Sequence, residues 1–131
     1  MMFLVAYATL LSYLTLTPDP WWILGSTGRS VEVAVDSTLA DYIQHVIAFG
    51  VLGVLLAVNG RAATLTRRTL LVTFGLGHAI GTECLQQWIP MRSCTVTDLV
   101  SNVVGLVAGW WLLKVSSNQI TNLLAVHRTG E

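Results

Sequence analysis

The sequence has few charged residues and lacks several common catalytic motifs. Each of these features excludes some classes of protein. Charged residues make up 11% of the 131-residue chain, compared with about 25% in ordinary soluble domains. Seven basic and seven acidic residues give a formal net charge of zero without a basic run, so we predict no nucleic-acid partner. No P-loop, dinucleotide-binding or G-x-S-x-G motif occurs, so no nucleotide cofactor or serine hydrolase chemistry is indicated.

The apolar residues, by contrast, fall into blocks of membrane-spanning length. They account for 53% of the chain, and the mean hydropathy is +0.66. A helix that crosses a bilayer needs about 20 mostly apolar residues, within a range of about 17–25. Four blocks approach this length, namely residues 2–17, 41–58, 67–88 and 95–115. We predict an all-α integral membrane protein of four transmembrane helices, with a single domain over residues 1–131.

The positions of the basic residues predict how these helices are oriented. Lys and Arg concentrate in the short cytoplasmic loops of membrane proteins. With both termini inside, five basic residues are cytoplasmic and two are external. The five are Arg61, Arg67, Arg68, Lys114 and Arg128, and the two are Arg29 and Arg92. We therefore predict an N-in/C-in, multi-pass protein of the bacterial plasma membrane, with a first helix that is retained because the block lacks signal-peptide features.

Polar side chains concentrate at one level of the predicted bundle. Three helices contribute them at their outer ends, within about 10 Å of the membrane boundary at a rise of 1.5 Å per residue. The candidates, with one loop residue, are Asp41, His45, Glu83, Gln86, Arg92, Asp98 and Asn102. Glu83 lies well inside its helix, where an acid costs a few kcal/mol unless it is paired or hydrated. His45 or Arg92 is the partner that we expect for it.

Glycine spacing predicts close helix packing below this polar level. Asp98, Asn102, Gly105 and Gly109 share one face of the fourth helix, with polar residues above and glycines below. Gly53 ends a similar stripe on the second helix, and the third helix carries Gly77 and Gly81 as a small-xxx-small pair. We predict that the second, third and fourth helices pack on glycine beneath a shared polar pocket.

Simpler roles remain open for several candidates. Asp41 is also read as a helix cap, and Asp98 follows Thr95 at the spacing of a capping box. Alternatively, the whole polar layer forms hydrogen bonds that only fix how the helices pack. His78, deeper in the third helix, is predicted to be a structural histidine. No H-E-x-x-H or C-x-x-C spacing occurs, so we predict no metal, and a bridge between the two cysteines is disfavoured because Cys84 lies within a predicted helix.

Three segments together resemble a known family. They are "DYIQHVIAFGVLG" at 41–53, "ECLQQ" at 83–87 and "RSCTVTDLVSNVVG" at 92–105. Their order resembles the VanZ-like family of small bacterial membrane proteins, whose pattern is D-x-x-x-H, then E-x-x-Q, then closely spaced R, D, N and G. The resemblance covers residues 10–112, with its core motif region at 36–112, and "TLTP" at 15–18 is similar to the family as well. Tyr42 departs from the pattern, since the family often has Lys there.

The resemblance implies where the protein acts, but it does not imply which reaction it performs. The family's namesake is associated with low-level resistance to teicoplanin, a lipid-tailed glycopeptide that acts outside the cell. We predict a polar pocket at the outer leaflet that handles a membrane lipid or amphiphilic envelope molecule, and leave open whether it is an enzyme. The alternative is a non-catalytic binding or assembly protein.

If the pocket is catalytic, each polar residue has an expected role. Glu83 or His45 is the general acid/base, and Asp98 orients His45 or Arg92. Arg92 holds an anionic head group. Asn102, Gln86 and Asp41 complete the substrate-binding set, with no cofactor and no metal. The sequence makes no prediction of oligomeric state.

Overall fold

The described part of the chain folds into α-helices. The computed structural model describes residues 1–18, 37–90 and 94–129. Within these ranges it contains four helices and no strand: α1 (Met2–Leu16), α2 (Ser37–Gly60), α3 (Leu65–Gln86) and α4 (Val96–Thr129). The predicted all-α class is confirmed. Arg92 and most of the loop predicted at 18–40 lie outside the described residues.

Two helices differ in length from the apolar blocks that predicted them. α2 begins at Ser37 rather than at residue 41, and α4 ends at Thr129 rather than at residue 115. Hydropathy marks where apolar residues stop, whereas a helix stops where glycine, proline or a cap ends it. No glycine or proline occurs between residues 110 and 129, so nothing in the local sequence ends α4 where its apolar stretch does.

Contacts between the helix ends show that the bundle is up–down–up–down. At one end, the Gln86 side-chain amide of α3 donates to the Thr15 carbonyl of α1 over 3.0 Å. At the other end, the Arg67 guanidinium contacts the Met1 sulfur at 3.4 Å. α1 and α3 are therefore parallel to each other, and α2 and α4 run the opposite way. We call the end that holds Thr15 and Gln86 the polar end.

The opposite end, which we call the arginine end, is closed by Arg68. Its Nε donates to the Gly60 carbonyl and its Nη2 to the Arg61 carbonyl, each over 3.0 Å. These carbonyls belong to the last turn of α2 and the turn after it, where intrahelical partners are missing. Thr64 caps the start of α3 by accepting from the Arg67 amide at 3.4 Å. The α2–α3 hairpin is thus held by its own basic residues.

The core lies where α2 meets the other helices. Phe49 and Leu52 of α2 are fully buried and pack with Leu106 of α4 and Leu11 of α1. The Tyr7 hydroxyl also ties α1 to α2, because it donates to the Ala48 carbonyl over 2.8 Å. α2 therefore contacts each of the other three helices, and its residue His45 lies at the polar end.

Glycine allows α2 and α4 to pack backbone against backbone. A Cβ added at Gly53 would overlap the Leu106 carbonyl, and one added at Gly105 would overlap the Val46 carbonyl. A Cβ at Gly109 would overlap the Gly50 carbonyl in the same way. The structure thus shows the glycine packing that we predicted for the second and fourth helices.

The third helix does not follow the glycine prediction. A Cβ at Gly77 or Gly81 would meet no atom within 4 Å, so neither glycine lies against a described neighbour. Gly75 is the α3 glycine that faces the core, where a Cβ would lie 2.6 Å from Leu56 Cδ1. The small-xxx-small spacing was therefore misleading, because spacing within one helix does not specify which face meets a neighbour.

Two of the helices are long and apolar enough to cross a membrane. The segments are Asp41–Gly60 of α2 and Val96–Ser116 of α4, and Met2–Leu16 is a shorter apolar helix. α3 carries two arginines, a histidine and an acid, which lowers its hydropathy. These findings are consistent with a membrane protein.

Candidate functional site

A chain of hydrogen bonds joins three helices at the polar end. The Nδ1 atom of His45 on α2 lies 2.8 Å from Asn102 Oδ1 on α4. Asn102 Nδ2 donates to Glu83 Oε2 on α3 over 3.4 Å. The Thr95 backbone N–H donates to the other carboxyl oxygen of Glu83 over 3.0 Å. We call the three side chains of His45, Asn102 and Glu83 the polar array.

Burial differs along the array. Glu83 is 2% exposed and Asn102 is 1% exposed, whereas His45 is only partly buried. Polar groups this deeply buried are costly unless they are hydrogen-bonded, and both are. The array therefore runs from the interior of the bundle to an accessible imidazole. The sequence led us to expect a direct pair between His45 and Glu83, but Asn102 lies between them.

The directions of these hydrogen bonds are set by the Thr95 N–H, which can only donate, and by an ionised Glu83, whose oxygens can only accept. The Thr95 N–H can only donate, so Glu83 Oε1 accepts. With Glu83 as a carboxylate, Asn102 must turn its NH2 group to Oε2, which leaves its Oδ1 facing His45. An amide oxygen only accepts, so His45 Nδ1 carries the proton. The His45 Nε2 atom then has a free lone pair.

This arrangement can perform proton transfer. A neutral imidazole with a lone pair at Nε2 is a general base near neutral pH. When Nε2 takes up a proton, Asn102 and the Glu83 carboxylate hold the resulting cation through the same two hydrogen bonds. Within the residues that the structure describes, His45 Nε2 makes no hydrogen bond. That atom is therefore available to accept a hydrogen bond from outside the array.

Asp98 lies beside the array but makes a different contact. Its carboxylate accepts from the Thr95 hydroxyl over 2.6 Å, and its own N–H donates to the same hydroxyl oxygen over 3.1 Å. This is a capping arrangement at the start of α4, close to the capping box that the sequence indicated. Asp98 thus positions Thr95, whose backbone N–H holds Glu83.

The capping geometry makes a prediction about Asp98. We expect Asp98→Ala to lower the free energy of unfolding by at most about 1 kcal/mol, because it removes a first-turn acid and its bond to the Thr95 hydroxyl while Thr95 still caps the helix. Asp98→Glu should retain most of that stability, because Glu is the usual acid of a capping box. Thermal unfolding of the purified variants measures both effects. An Asp98→Ala variant that keeps wild-type stability but loses function would instead indicate that Asp98 acts directly on a bound molecule.

Gln86 joins the polar end to α1. It is 3% exposed, and its amide donates to the Thr15 carbonyl over 3.0 Å. Thr15 is also buried, and its hydroxyl donates a hydrogen bond to the Leu11 carbonyl of its own helix. Gln86 thus joins the end of α3 to α1, and its predicted role in substrate binding stays a prediction.

The remaining candidates fall outside the array. Asp41 is exposed, and no described contact involves its carboxylate within the described ranges of the chain. Arg92 lies outside the described residues, so its predicted binding role stays a prediction. His78 packs between Phe49 and Phe74, with ring centroids 6.1 and 5.9 Å away, and its buried Nε2 has no hydrogen-bond partner there. Cys84 and Cys94 are free and exposed.

Sequence reasoning missed two contributors to the site. The Thr95 backbone N–H and the Thr15 carbonyl are main-chain groups, and main-chain atoms leave no residue signature. Some indirect signal existed, because Thr95 was recognised as the first residue of a capping box and Thr15 begins the "TLTP" segment. Neither signal indicated that the backbone itself would bind Glu83 or Gln86.

The described residues form a small all-α protein whose two long apolar helices are consistent with a membrane protein. Three of its helices hold an acid–amide–imidazole array between them. The chain belongs to the VanZ/LLP1 family, whose family model matches residues 3–117. The match includes every residue of the array and confirms the VanZ-like resemblance. Comparisons with curated proteins and with solved structures find no match.

Proposed function

We propose that this chain is a multi-pass protein of the bacterial plasma membrane that handles the polar part of an amphiphilic envelope molecule at its polar end. Two segments apolar enough to span a bilayer support the membrane setting. Only 33% of the Asp41–Gly60 window and 22% of the Val96–Ser116 window are buried inside the bundle. Core helices of soluble proteins are mostly buried, so the uncovered apolar surface favours lipid contact.

The observation that carries the proposal is the buried array ending in an accessible imidazole. Glu83 and Asn102 are enclosed, but the chain of hydrogen bonds leads to His45, whose Nε2 has no described partner. An acid within a transmembrane helix is costly and typically functional. Hydrogen bonds that served helix packing alone would not need to extend to a partly exposed side chain.

A proton-transfer role follows from this geometry. His45 Nε2 would accept a proton from a hydroxyl group or a water at the head group of the amphiphile. Asn102 would hold the imidazole in the tautomer that leaves Nε2 free, and the Glu83 carboxylate would stabilise the cation through Asn102. If the chain binds without turnover, the same lone pair accepts a hydrogen bond from the head group.

A structural role is the second candidate, and one observation favours it. The array links α2, α3 and α4, and two of its three side chains, Glu83 and Asn102, are almost fully enclosed. Hydrogen bonds of this kind between transmembrane helices contribute roughly 0.6 kcal/mol on average. Under this interpretation the array would set helix register, and no molecule would bind at His45.

A teicoplanin assay tests the proposed function, because the family resemblance connects the chain to that amphiphile. We expect expression of the chain to raise the teicoplanin concentration that inhibits a sensitive host. His45→Gln should remove the protection, since Gln can donate to Asn102 but is not a base. Membrane abundance of each variant is the control. Full protection by a His45→Gln protein of equal abundance would favour the structural role.

The four-span, N-in/C-in topology is a separate prediction. It is motivated by the bias of basic residues toward the α2–α3 turn. In a variant without the two native cysteines, a probe at Gly28→Cys should react with an impermeant maleimide added outside the cell. A probe at Ala62→Cys should react only after the membrane is opened. The opposite pattern would place the polar end in the cytoplasm and remove the external setting of the site.

A further inference from the structure

We infer that the groove between α2 and α4 binds the acyl chain of a membrane lipid, and that this chain belongs to the amphiphile whose head group reaches His45. The inference rests on the proposed function and specifies its substrate class. The groove is open along its length and has a volume of about 370 Å³. Its lining includes Val46, Val51, Val54 and Ala108.

The chemistry of the groove suits a hydrocarbon chain. Every residue that lines it is apolar or a glycine. Gly50, Gly105 and Gly109 form the floor of the groove, where the backbones of α2 and α4 are in contact. Apolar surface of this kind has no group that would hold a sugar, a peptide or an ion in place.

The length of the groove distinguishes an acyl chain from a neighbouring helix. On α2 it runs from Val46 to Leu55, about 14 Å at 1.5 Å per residue. The hydrocarbon core of a bilayer is about 30 Å thick, so the groove is about one leaflet deep. A second copy of the chain would contact a full-length helix face, whereas a lipid tail occupies a single leaflet.

The groove begins near the polar end. Val46 follows His45 directly in α2, so the upper end of the groove lies at about the depth of the imidazole, on a neighbouring face of the helix. One helical turn above the lining residues Val46 and Gly105 are Tyr42 and Ser101, both with hydroxyl groups. The surface therefore changes from polar to apolar along the membrane normal, in the same order as the head and tail of a lipid.

Photolabelling tests the inference on the full-length chain. The chain is reconstituted in phosphatidylglycerol nanodiscs that contain a small fraction of phosphatidylglycerol with a diazirine in its acyl chain. After irradiation, we expect the labelled peptides to concentrate on the groove residues of α2 and α4. Labelling spread evenly over the exposed faces of α1 and α3 as well would show ordinary surrounding lipid and would overturn the inference.

Variants that fill the groove provide the quantitative test. Val51 is 42% exposed and Ile80 is 49% exposed on α3, away from the groove. We expect Val51→Trp to lower groove labelling about tenfold, because a Trp side chain displaces several methylenes of the bound tail. Ala108→Phe fills the groove from the other wall and should act similarly. Ile80→Trp is the matched control and should label as the wild type does.

The remaining outcomes separate this inference from the proposed function. Equal labelling of Val51→Trp, Ala108→Phe and Ile80→Trp would refute the groove site, even if His45 variants lose teicoplanin protection. Groove labelling that is lost in the filled variants, together with full protection by His45→Gln, would retain the groove and refute the proposed function. A dimer mass by native mass spectrometry that disappears in Val51→Trp would assign the groove to a second copy instead.

Discussion

Replacing Glu83 with glutamine is expected to abolish teicoplanin protection while the melting temperature stays close to that of the wild type. The new side chain would keep an oxygen for the Thr95 N–H and would present its NH2 group to Asn102. Asn102 would then turn over, so that its own NH2 group faces His45 Nδ1. Every hydrogen bond of the array survives, but the direction of the chain is reversed.

The reversal matters because it changes which imidazole nitrogen carries the proton. His45 Nδ1 would become an acceptor, so the proton would lie on Nε2 and the free lone pair would be lost. The cation would also lose the carboxylate that stabilises it. Nitrogen-15 NMR of a histidine-labelled sample distinguishes the two tautomers, with Nδ1–H expected in the wild type and Nε2–H in the Glu83→Gln variant.

A second substitution in the array provides the comparison. Asn102→Leu is similar in size but leaves Glu83 Oε2 and His45 Nδ1 without partners. Each buried polar group left unsatisfied costs about 1–3 kcal/mol, so this variant should lose stability as well as function. If Glu83→Gln retains full teicoplanin protection at normal abundance, the proton-transfer role is wrong and the structural role is the better account.

A leucine at Gly105 is expected to have the largest effect on folding. Its Cβ would overlap the Val46 carbonyl and lie 3.0 Å from the Gly50 amide nitrogen, so backbone on the facing helix would have to move. Overpacking a well-packed site costs about 1–3 kcal/mol, and more where a rigid neighbour cannot shift. Whole domains are stable by only about 5–15 kcal/mol, so we expect poor recovery of folded protein.

Gly77 is the matched control for Gly105. Both residues are glycines within helices, but a Cβ at Gly77 would meet nothing within 4 Å. Gly77→Ala should therefore gain about 1 kcal/mol of helix propensity, whereas Gly105→Ala should lose stability because it creates the backbone overlap. Thermal unfolding in one detergent compares the two. Equal stability of the two alanine variants would contradict the close packing of α2 on α4.

Comparison of the two glycine pairs shows how far the sequence could predict the packing. Gly105 and Gly109 continue the face of α4 that carries Asn102, so a polar neighbour identified them as inward-facing. Gly77 and Gly81 had the same spacing but no such indicator. Helix periodicity relates residues within one helix, whereas the rotation of that helix against its neighbours depends on all the side chains between them.

The same limit explains the partly correct prediction of the polar array. Depth along each helix is predictable at 1.5 Å per residue, and it placed His45, Glu83 and Asn102 at one level. Lateral position is not predictable in this way, so the sequence did not indicate that Asn102 would separate the acid from the imidazole. The role of the Thr95 backbone N–H was even harder to predict, because any residue except proline would supply that N–H.

The most direct test of the central claim is a crystal structure of the chain purified with its native lipids. We predict an ordered polar group within about 3 Å of His45 Nε2, the usual length of a hydrogen bond, with the Glu83–Asn102–His45 connections intact. A structure in which His45 Nε2 instead bonds to another residue of the same chain, with no ordered molecule at the polar end, would contradict it.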